Sequence, residues 1–167
     1  MRPERVSEVL NDPVAQELLR SATPGRLAYT GTDGFPRVVP MGVHWNGAAI
    51  VVGSATNAAK VPAIAANPKV AMTIDTNIPP QNVLLIRGNA TVEIVDGVPD
   101  EYLAGVRKLV DNGHKDAEWF RTFEQQVRGL YQRMALITIT PTWAKVLDFQ
   151  TRIPQAVEDL VTGRASS

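Results

Sequence analysis

The apolar residues near the N-terminus recur with helical spacing. Five of them lie within residues 3–22 at intervals of four, four, four and one: Val6, Leu10, Val14, Leu18 and Leu19. Asp12-Pro13 interrupts this stripe, and a proline breaks the interior of a helix. The pattern therefore predicts one or two short helices, which form an N-terminal cover over residues 1–22.

After residue 25 the helical period gives way to runs rich in β-forming residues. Asp-Gly in the turn TDGF and Asn-Gly in the turn WNGA separate these runs, and such dipeptides are strong hairpin signals. The three predicted strands are 26–31, 36–45 and 48–54. They are predicted to pair consecutively as an antiparallel meander. The third contains Ile-Val-Val at 50–52 without polar alternation, which predicts burial on both faces, in a barrel or under a helix.

The segment from Gly53 to Pro68 reads GSATNAAKVPAIAANP and contains a short predicted helix. Pro62 is tolerated only in the first turn of a helix, so the helix is predicted over residues 61–66. A fourth strand is predicted over 69–75. The run 83–95 is too long and polar for one flat strand, and Gly88 within it predicts a bulge or a sharp bend.

Helical spacing returns between Pro99 and Met134 and then ends in two closing strands. Two apolar stripes, separated by Asp-Asn-Gly at 111–113, predict two helices in the insertion 99–134. The closing strands are predicted at 135–141 and 143–149, within the closing segment 135–149. The order of elements predicts a single domain over residues 1–167, of the mainly β, α+β class: a six- or seven-stranded antiparallel barrel with flanking helices.

Composition narrows the possible functions. The chain has 167 residues and 44% apolar residues, enough for one core. Lys plus Arg and Asp plus Glu number 17 each, so we expect no nucleic-acid partner. There is no cysteine, and His44 and His114 are far apart, so neither a metal site nor a Ser-His-Asp arrangement is expected. The charged N-terminus and the lack of a long apolar run predict a cytoplasmic protein without a membrane partner.

The segment around Lys60 has the composition of a small anion site. Gly53 gives clearance, Ser54, Thr56 and Asn57 offer side-chain donors, and Lys60 adds a positive charge beside the first turn of the short helix. A phosphate would suit this set. The alternative is an ordinary polar loop with a solvated lysine, because the spacing matches no strict phosphate-binding motif.

The second predicted strand also has unusual features. Pro40 forfeits a ladder hydrogen bond, and Gly42 permits close approach to the backbone. The backbone of 39–42 is therefore predicted to face something other than a neighbouring strand, unless it forms a simple bulge at a barrel corner. Arg37 is a second possible anion contact or a solvent-facing arginine.

Taken in order, several of these segments resemble one known family. They are RVVPMG at 37–42, GS at 53–54, Lys60, Asn-Pro at 67–68 and IRGNATV at 86–92. Together they resemble the pyridoxamine 5′-phosphate oxidase-like group of flavin-binding split β-barrels over residues 24–95, and more loosely in the terminal strands. The resemblance implies an FMN-binding split barrel with the cofactor at the interface of a homodimer.

The resemblance also implies which residues bind the cofactor, although it identifies no catalytic residue. In such proteins strand two would line the flavin, Ser54 would meet the phosphate and Lys60 would bind it by charge. Trp143 and Arg152 would reach the cofactor from the other subunit. The implied set is Arg37, Val38, Val39, Pro40, Met41, Gly42, Gly53, Ser54, Thr56, Asn57, Lys60, Trp143 and Arg152.

Two positions depart from the family pattern. Ala59 stands where an arginine is common, and Gly42 stands where the true oxidases have a lysine that holds the substrate phosphate. Loss of that charge-assisted contact would cost about 1.5–3 kcal/mol. This argues against pyridoxine phosphate oxidation. Three features resemble the actinobacterial branches of this family: PRVVPM, the tryptophan of strand two and the tail LDFQTRIP. Some of those branches use a deazaflavin coenzyme instead of FMN.

The sequence therefore favours a flavin- or deazaflavin-dependent oxidoreductase that transfers hydride or electrons to or from a small organic substrate. FMN and the deazaflavin coenzyme both remain open. The main alternative is a non-catalytic protein that binds or carries flavin, deazaflavin or haem. A dimeric barrel that has lost its cofactor is a third possibility.

Overall fold

Two short helices precede the sheet. The computed structural model describes residues 1–76, 79, 81–110 and 117–152. Helix α1 spans Pro3–Leu10 and helix α2 spans Pro13–Arg20, each with a proline in its first turn. Asp12 caps α2, since its carboxylate accepts a hydrogen bond of 2.9 Å from the Val14 N–H. The prediction of one or two short helices interrupted at Asp12-Pro13 is confirmed, and the number is two.

The rest of the described residues form one antiparallel sheet and three further helices. The strands are β1 (Gly25–Thr30), β2 (Pro36–Met41), β3 (His44–Trp45), β4 (Ile50–Ala55), β5 (Lys69–Asp75), β6 (Asn82–Asp96) and β7 (Arg133–Asp148). The helices are α3 (Lys60–Ala66), α4 (Asp100–Val110) and α5 (Ala117–Leu130). The sheet order is β2-β1-β5-β6-β7-β4-β3. The predicted α+β class with six or seven antiparallel strands is confirmed.

The sheet curls because its two edge strands are consecutive in the chain. Only Gly42 and Val43 separate β2 from β3, and three Cα–Cα steps span at most about 11 Å. The two edges must therefore approach each other, although no ladder joins them. The result is a split barrel. The prediction of one strand over 36–45 within a continuous meander is wrong, because the chain leaves one edge at Gly42 and joins the other at His44.

Both predicted hairpin turns are present. β1 pairs with β2, and β3 pairs with β4. Gly34 and Gly47 have φ angles of 83° and 97°, which residues other than glycine rarely adopt. The Asp-Gly and Asn-Gly signals therefore mark the hairpins correctly, even though the two hairpins lie at opposite edges of the sheet.

The predicted bulge at Gly88 is confirmed, and it explains a second correction. The register between β6 and β7 shifts between Arg87 and Gly88, where Gly88 lies opposite Pro141. Since the ladder is already interrupted there, the proline does not end the strand. The two closing strands predicted at 135–141 and 143–149 are therefore one strand, β7.

Two groups of apolar side chains pack on opposite faces of the sheet. The main core contains Ile50 and Val52 of β4, while the other face of β4 is covered by α4. The predicted burial of β4 on both faces is confirmed. A second core joins α4, α5 and the start of β7, so Met134 belongs to β7 rather than to the predicted helix. The predicted turn 111–113 and His114 lie outside the described residues.

No helix among the described residues is long and apolar enough to cross a membrane.

Candidate functional site

The candidate site is built around a lysine and a serine that the chain brings together at one end of the barrel. Ser54, near the end of β4, is 6% exposed, and Lys60 is the first residue of α3. The Lys60 Nζ donates a hydrogen bond of 3.2 Å to the Ser54 Oγ. Burial lowers the pKa of Lys60 because the charged form is partly desolvated. The described residues provide no carboxylate partner for this ammonium.

This environment suits a phosphate group. A half-buried ammonium without a counter-charge gains more from an anion than a solvated one does, because the local dielectric is lower. The Ser54 hydroxyl can rotate and donate to the same anion. Thr56 and Asn57 are exposed in the turn between β4 and α3, beside this pair. The donors present therefore fit a phosphate.

Helix α4 fills the space beside the backbone of Gly42 and Gly53, which the sequence predicted to be open to another group. A Cβ atom on Gly42 would lie 2.9 Å from the backbone carbon of Gly105, and one on Gly53 would lie 2.7 Å from the Cβ of Tyr102. The prediction that another group approaches the backbone at Gly42 is confirmed, and that group is the chain's own helix. A ligand must therefore reach these strands away from α4, along the free edge of β2 or from the side of Lys60.

The free edge of β2 offers mostly acceptors. Pro36 and Pro40 occupy alternate positions with Val38, and prolines have no N–H to give to the ladder with β1. We infer that these three residues direct their backbone groups to the open edge, which then presents carbonyls and the single N–H of Val38. The Val38 side chain is 64% exposed, whereas Val39 and Met41 pack against the main core.

Arg37 has a partner within the β1–β2 turn. Its guanidinium donates a hydrogen bond of 2.8 Å to the Asp33 carboxylate, which is part-exposed. The same contact lowers the pKa of Asp33. An anion that bound Arg37 would therefore compete with Asp33, or share the guanidinium with it.

Trp143 does not meet Lys60 within one chain. Ser54 pairs with Ala135 of β7, and Trp143 lies eight residues further along the same strand, a distance of about 26 Å at the usual rise. The Arg87 guanidinium lies over the Trp143 ring, 4.4 Å from its centroid. This pair lines a cleft of about 580 Å³ on the sheet face, which Thr30 and Lys69 also border.

Arg152 lies apart from the Lys60 pair and joins the end of β7 to the N-terminal helices. Its guanidinium donates two hydrogen bonds to the Asp12 carboxylate, of 2.7 and 3.2 Å, and lies 3.4 Å from the Asp148 carboxylate. The hydrogen bond from Arg152 lowers the pKa of Asp12, and hydrogen bonds from Thr151 lower the pKa of Asp148. Within one chain, Arg152 thus has a structural role.

This contact predicts acid sensitivity. Carboxylates with lowered pKa values stabilise the fold above the pKa of the unfolded chain, about 4, and lose that contribution as the pH falls further. Asp12→Asn should therefore be slightly less stable than the native chain at pH 6, and the difference should shrink as the pH falls below about 4. Urea unfolding at pH 6 and pH 3 measures it. A difference as large at pH 3 as at pH 6 would contradict the ionic origin of the effect.

Tyr102 is a neighbour of the site that sequence reasoning missed. Its ring covers Gly53, the neighbour of Ser54, and burial raises the pKa of its phenol. The phenol is therefore a protonated donor at neutral pH. The helical spacing of Tyr102 indicated only a position in the core. The signal that could have identified it was Gly53, because a glycine inside a buried strand often marks a place where another group packs closely against the backbone.

Comparison with known proteins identifies a matching family and similar solved structures. The model of the family described as "Pyridoxamine 5'-phosphate oxidase" matches residues 12–145. An F420 reductase of known structure is 27% identical, with a TM-score of 0.58 over 78% of this chain and 94% of its own. No curated protein matches the sequence significantly.

Two other solved structures share the fold at lower identity. General Stress Protein 26 from Bacillus anthracis is 16% identical, with a TM-score of 0.57 over 81% of this chain and 92% of its own. The heme storage protein HutZ from Vibrio cholerae is also 16% identical, with a TM-score of 0.54 over 81% and 92%. Proteins named for different functions therefore share this split barrel, so fold alone does not identify the activity.

Proposed function

The chain belongs to the pyridoxamine 5′-phosphate oxidase family, and from that premise we propose that it is a flavin- or deazaflavin-dependent oxidoreductase acting on a small organic substrate. The observation that carries the proposal is the half-buried Lys60 ammonium, which lies 3.2 Å from the Ser54 hydroxyl without a carboxylate partner among the described residues. Lys60 and Ser54 would hold the phosphate nearest the ring system. The bound cofactor would supply the hydride or electron transfer.

FMN and the deazaflavin coenzyme both remain candidates. They differ in the tail beyond the first phosphate, whereas the Lys60 site would bind only that phosphate and so does not distinguish them. Similarity to an F420 reductase at 27% identity supports the deazaflavin coenzyme as one of the two. The open edge of β2, with its carbonyls and the N–H of Val38, would orient the polar edge of the ring. No side chain needs to act as an obligatory acid or base for hydride transfer, so we assign no catalytic residue.

A homodimer with the cofactor between subunits completes the proposal. Members of this family are commonly dimeric. Phe35 and Val38, at the edge of the sheet, are 70% and 64% exposed, which suits a surface that a second copy covers. Trp143 lies about 26 Å along β7 from the residue opposite Ser54, which favours a contact with the cofactor from the other subunit.

Parallel titration of the purified protein with FMN and the deazaflavin coenzyme tests the proposal. We expect saturable binding of at least one, measured by the change in cofactor absorbance or fluorescence. Binding of neither would refute it. The loaded protein is then mixed anaerobically with reduced nicotinamide or reduced deazaflavin and a set of enone acceptors. Reduction of an acceptor supports an oxidoreductase, while binding without any reduction favours the carrier alternative.

A further inference from the structure

A second group of positive charges lies in a cleft between α2, β3 and α4. The cleft has a volume of about 430 Å³, and its lining includes Gln16, Arg20, His44, Trp45 and Lys108. None of the described residues that line it is an aspartate or glutamate. Three groups that carry or can carry positive charge thus converge from three different elements, and the cleft shares no residue with the Lys60 pair.

The two permanent cations of this cleft have only neutral partners. The Lys108 Nζ donates a hydrogen bond of 2.6 Å to the backbone carbonyl of Leu19, and the Arg20 guanidinium donates one of 2.8 Å to the Gln16 side-chain oxygen. Burial lowers the pKa of Lys108, because water stabilises its charge less at this position. Neither side chain forms an ion pair within the described part of the chain.

Many arginines elsewhere in the described part of the chain do have a carboxylate partner. They are Arg5, Arg26, Arg37, Arg128, Arg133 and Arg152. An ammonium has three donors and a guanidinium has five, so Lys108 and Arg20 retain donors after these contacts. Two like charges beside one cleft also repel each other, and an anion between them would relieve that repulsion.

We propose that this cleft binds a small metabolite that carries two or more negative charges, as carboxylate or phosphate groups. Arg20 and Lys108 supply the charge-assisted hydrogen bonds, and His44 adds a further donor. The cleft is larger than a single phosphate needs, and it leaves room for the carbon skeleton of a di- or tricarboxylate or of a phosphate ester. This site is independent of the proposed cofactor site.

Calorimetric titration with citrate and with inorganic phosphate tests the proposal, at an ionic strength held constant with sodium chloride. The titrations are made with the native protein and with Lys60→Ala, since phosphate could also bind at Lys60. Saturable binding that persists in Lys60→Ala supports the cleft. The anion that binds indicates whether carboxylate or phosphate is the preferred group.

Two variants locate the binding. In the Lys60→Ala background, Arg20→Gln should weaken it about tenfold and Lys108→Met about ten- to a hundredfold, as expected for loss of charge-assisted hydrogen bonds. Arg121→Met, which removes an exposed charge from α5, is the matched control and should leave the affinity unchanged. Arg20 is exposed at the end of α2, so its variant decides the matter if Lys108→Met does not fold. Absence of saturable binding, or equal affinity in every variant, overturns the proposal.

Discussion

Lys60→Ala should weaken the binding of FMN or of the deazaflavin coenzyme about ten- to a hundredfold, the largest effect of any single change in residues 53–68. The charge-assisted hydrogen bond that is lost is worth about 1.5–3 kcal/mol, and each 1.4 kcal/mol is a factor of about ten in affinity. Ala59 adds no second charge beside Lys60, so nothing in this turn replaces it. Titration of each cofactor into the native and variant proteins measures the loss.

Lys108→Ala is the matched control for this experiment. Lys108 is also a half-buried lysine whose pKa is lowered by burial, and its hydrogen bond also goes to a neutral oxygen, 2.6 Å away. It lies outside the predicted cofactor site, so its variant should bind the cofactor with native affinity. Equal cofactor affinity in Lys60→Ala and the native protein would contradict the assignment of the phosphate site. Equal losses in both lysine variants would indicate a general effect of charge or stability.

Gly88→Ala should lower the free energy of unfolding by about 1–3 kcal/mol, the range typical of overpacked sites. The new Cβ would lie 2.4 Å from the backbone oxygen of Thr140 and 3.0 Å from the Cγ2 of Ile139. The clash is with the backbone of β7, which a rotamer change cannot relieve. The register shift between β6 and β7 would have to move, or the two strands would have to separate locally. Urea unfolding followed by circular dichroism measures the effect.

Gly129→Ala provides the comparison for the same substitution in open space. Gly129 lies in the last turn of α5, and a Cβ there would meet nothing within 4 Å. Alanine is favoured over glycine in a helix by up to about 1 kcal/mol, so this variant should be as stable as the native chain or slightly more stable. A Gly88→Ala protein that unfolds like Gly129→Ala would show that the bulge accommodates a side chain.

Local signals predicted the elements that depend on neighbouring residues. The hairpin turns at Gly34 and Gly47, the break at Asp12-Pro13 and the bulge at Gly88 follow from backbone preferences that glycine and proline impose wherever they occur. The division of residues 36–45 into two strands was not predictable in this way. At the division the chain passes from one edge of the sheet to the other, and Gly42 lies against Gly105, which is 63 positions away in the sequence.

The candidate site was predictable in part for the same reason. Lys60 and Ser54 are six residues apart, so a strand, a turn and a helix start are enough to bring them together. Two other contacts join segments that are distant in the sequence: Tyr102 packs over Gly53, and Arg152 pairs with Asp12. No local sequence pattern predicts such contacts. The sequence assigned Arg152 to the cofactor by resemblance, whereas within one chain it holds the end of β7 to the N-terminal helices.

By itself the sequence determined the element types, the turns and the local pairing of a lysine with a hydroxyl, because short-range sterics and hydrogen bonding act between neighbours. Only the tertiary structure decided which helix covers Gly42 and Gly53, how the sheet curls between its two edges, and that Arg20 and Lys108 share a cleft. Those outcomes depend on how distant segments pack against each other. The residue pattern of one segment alone does not show whether its shape and charge complement those of another.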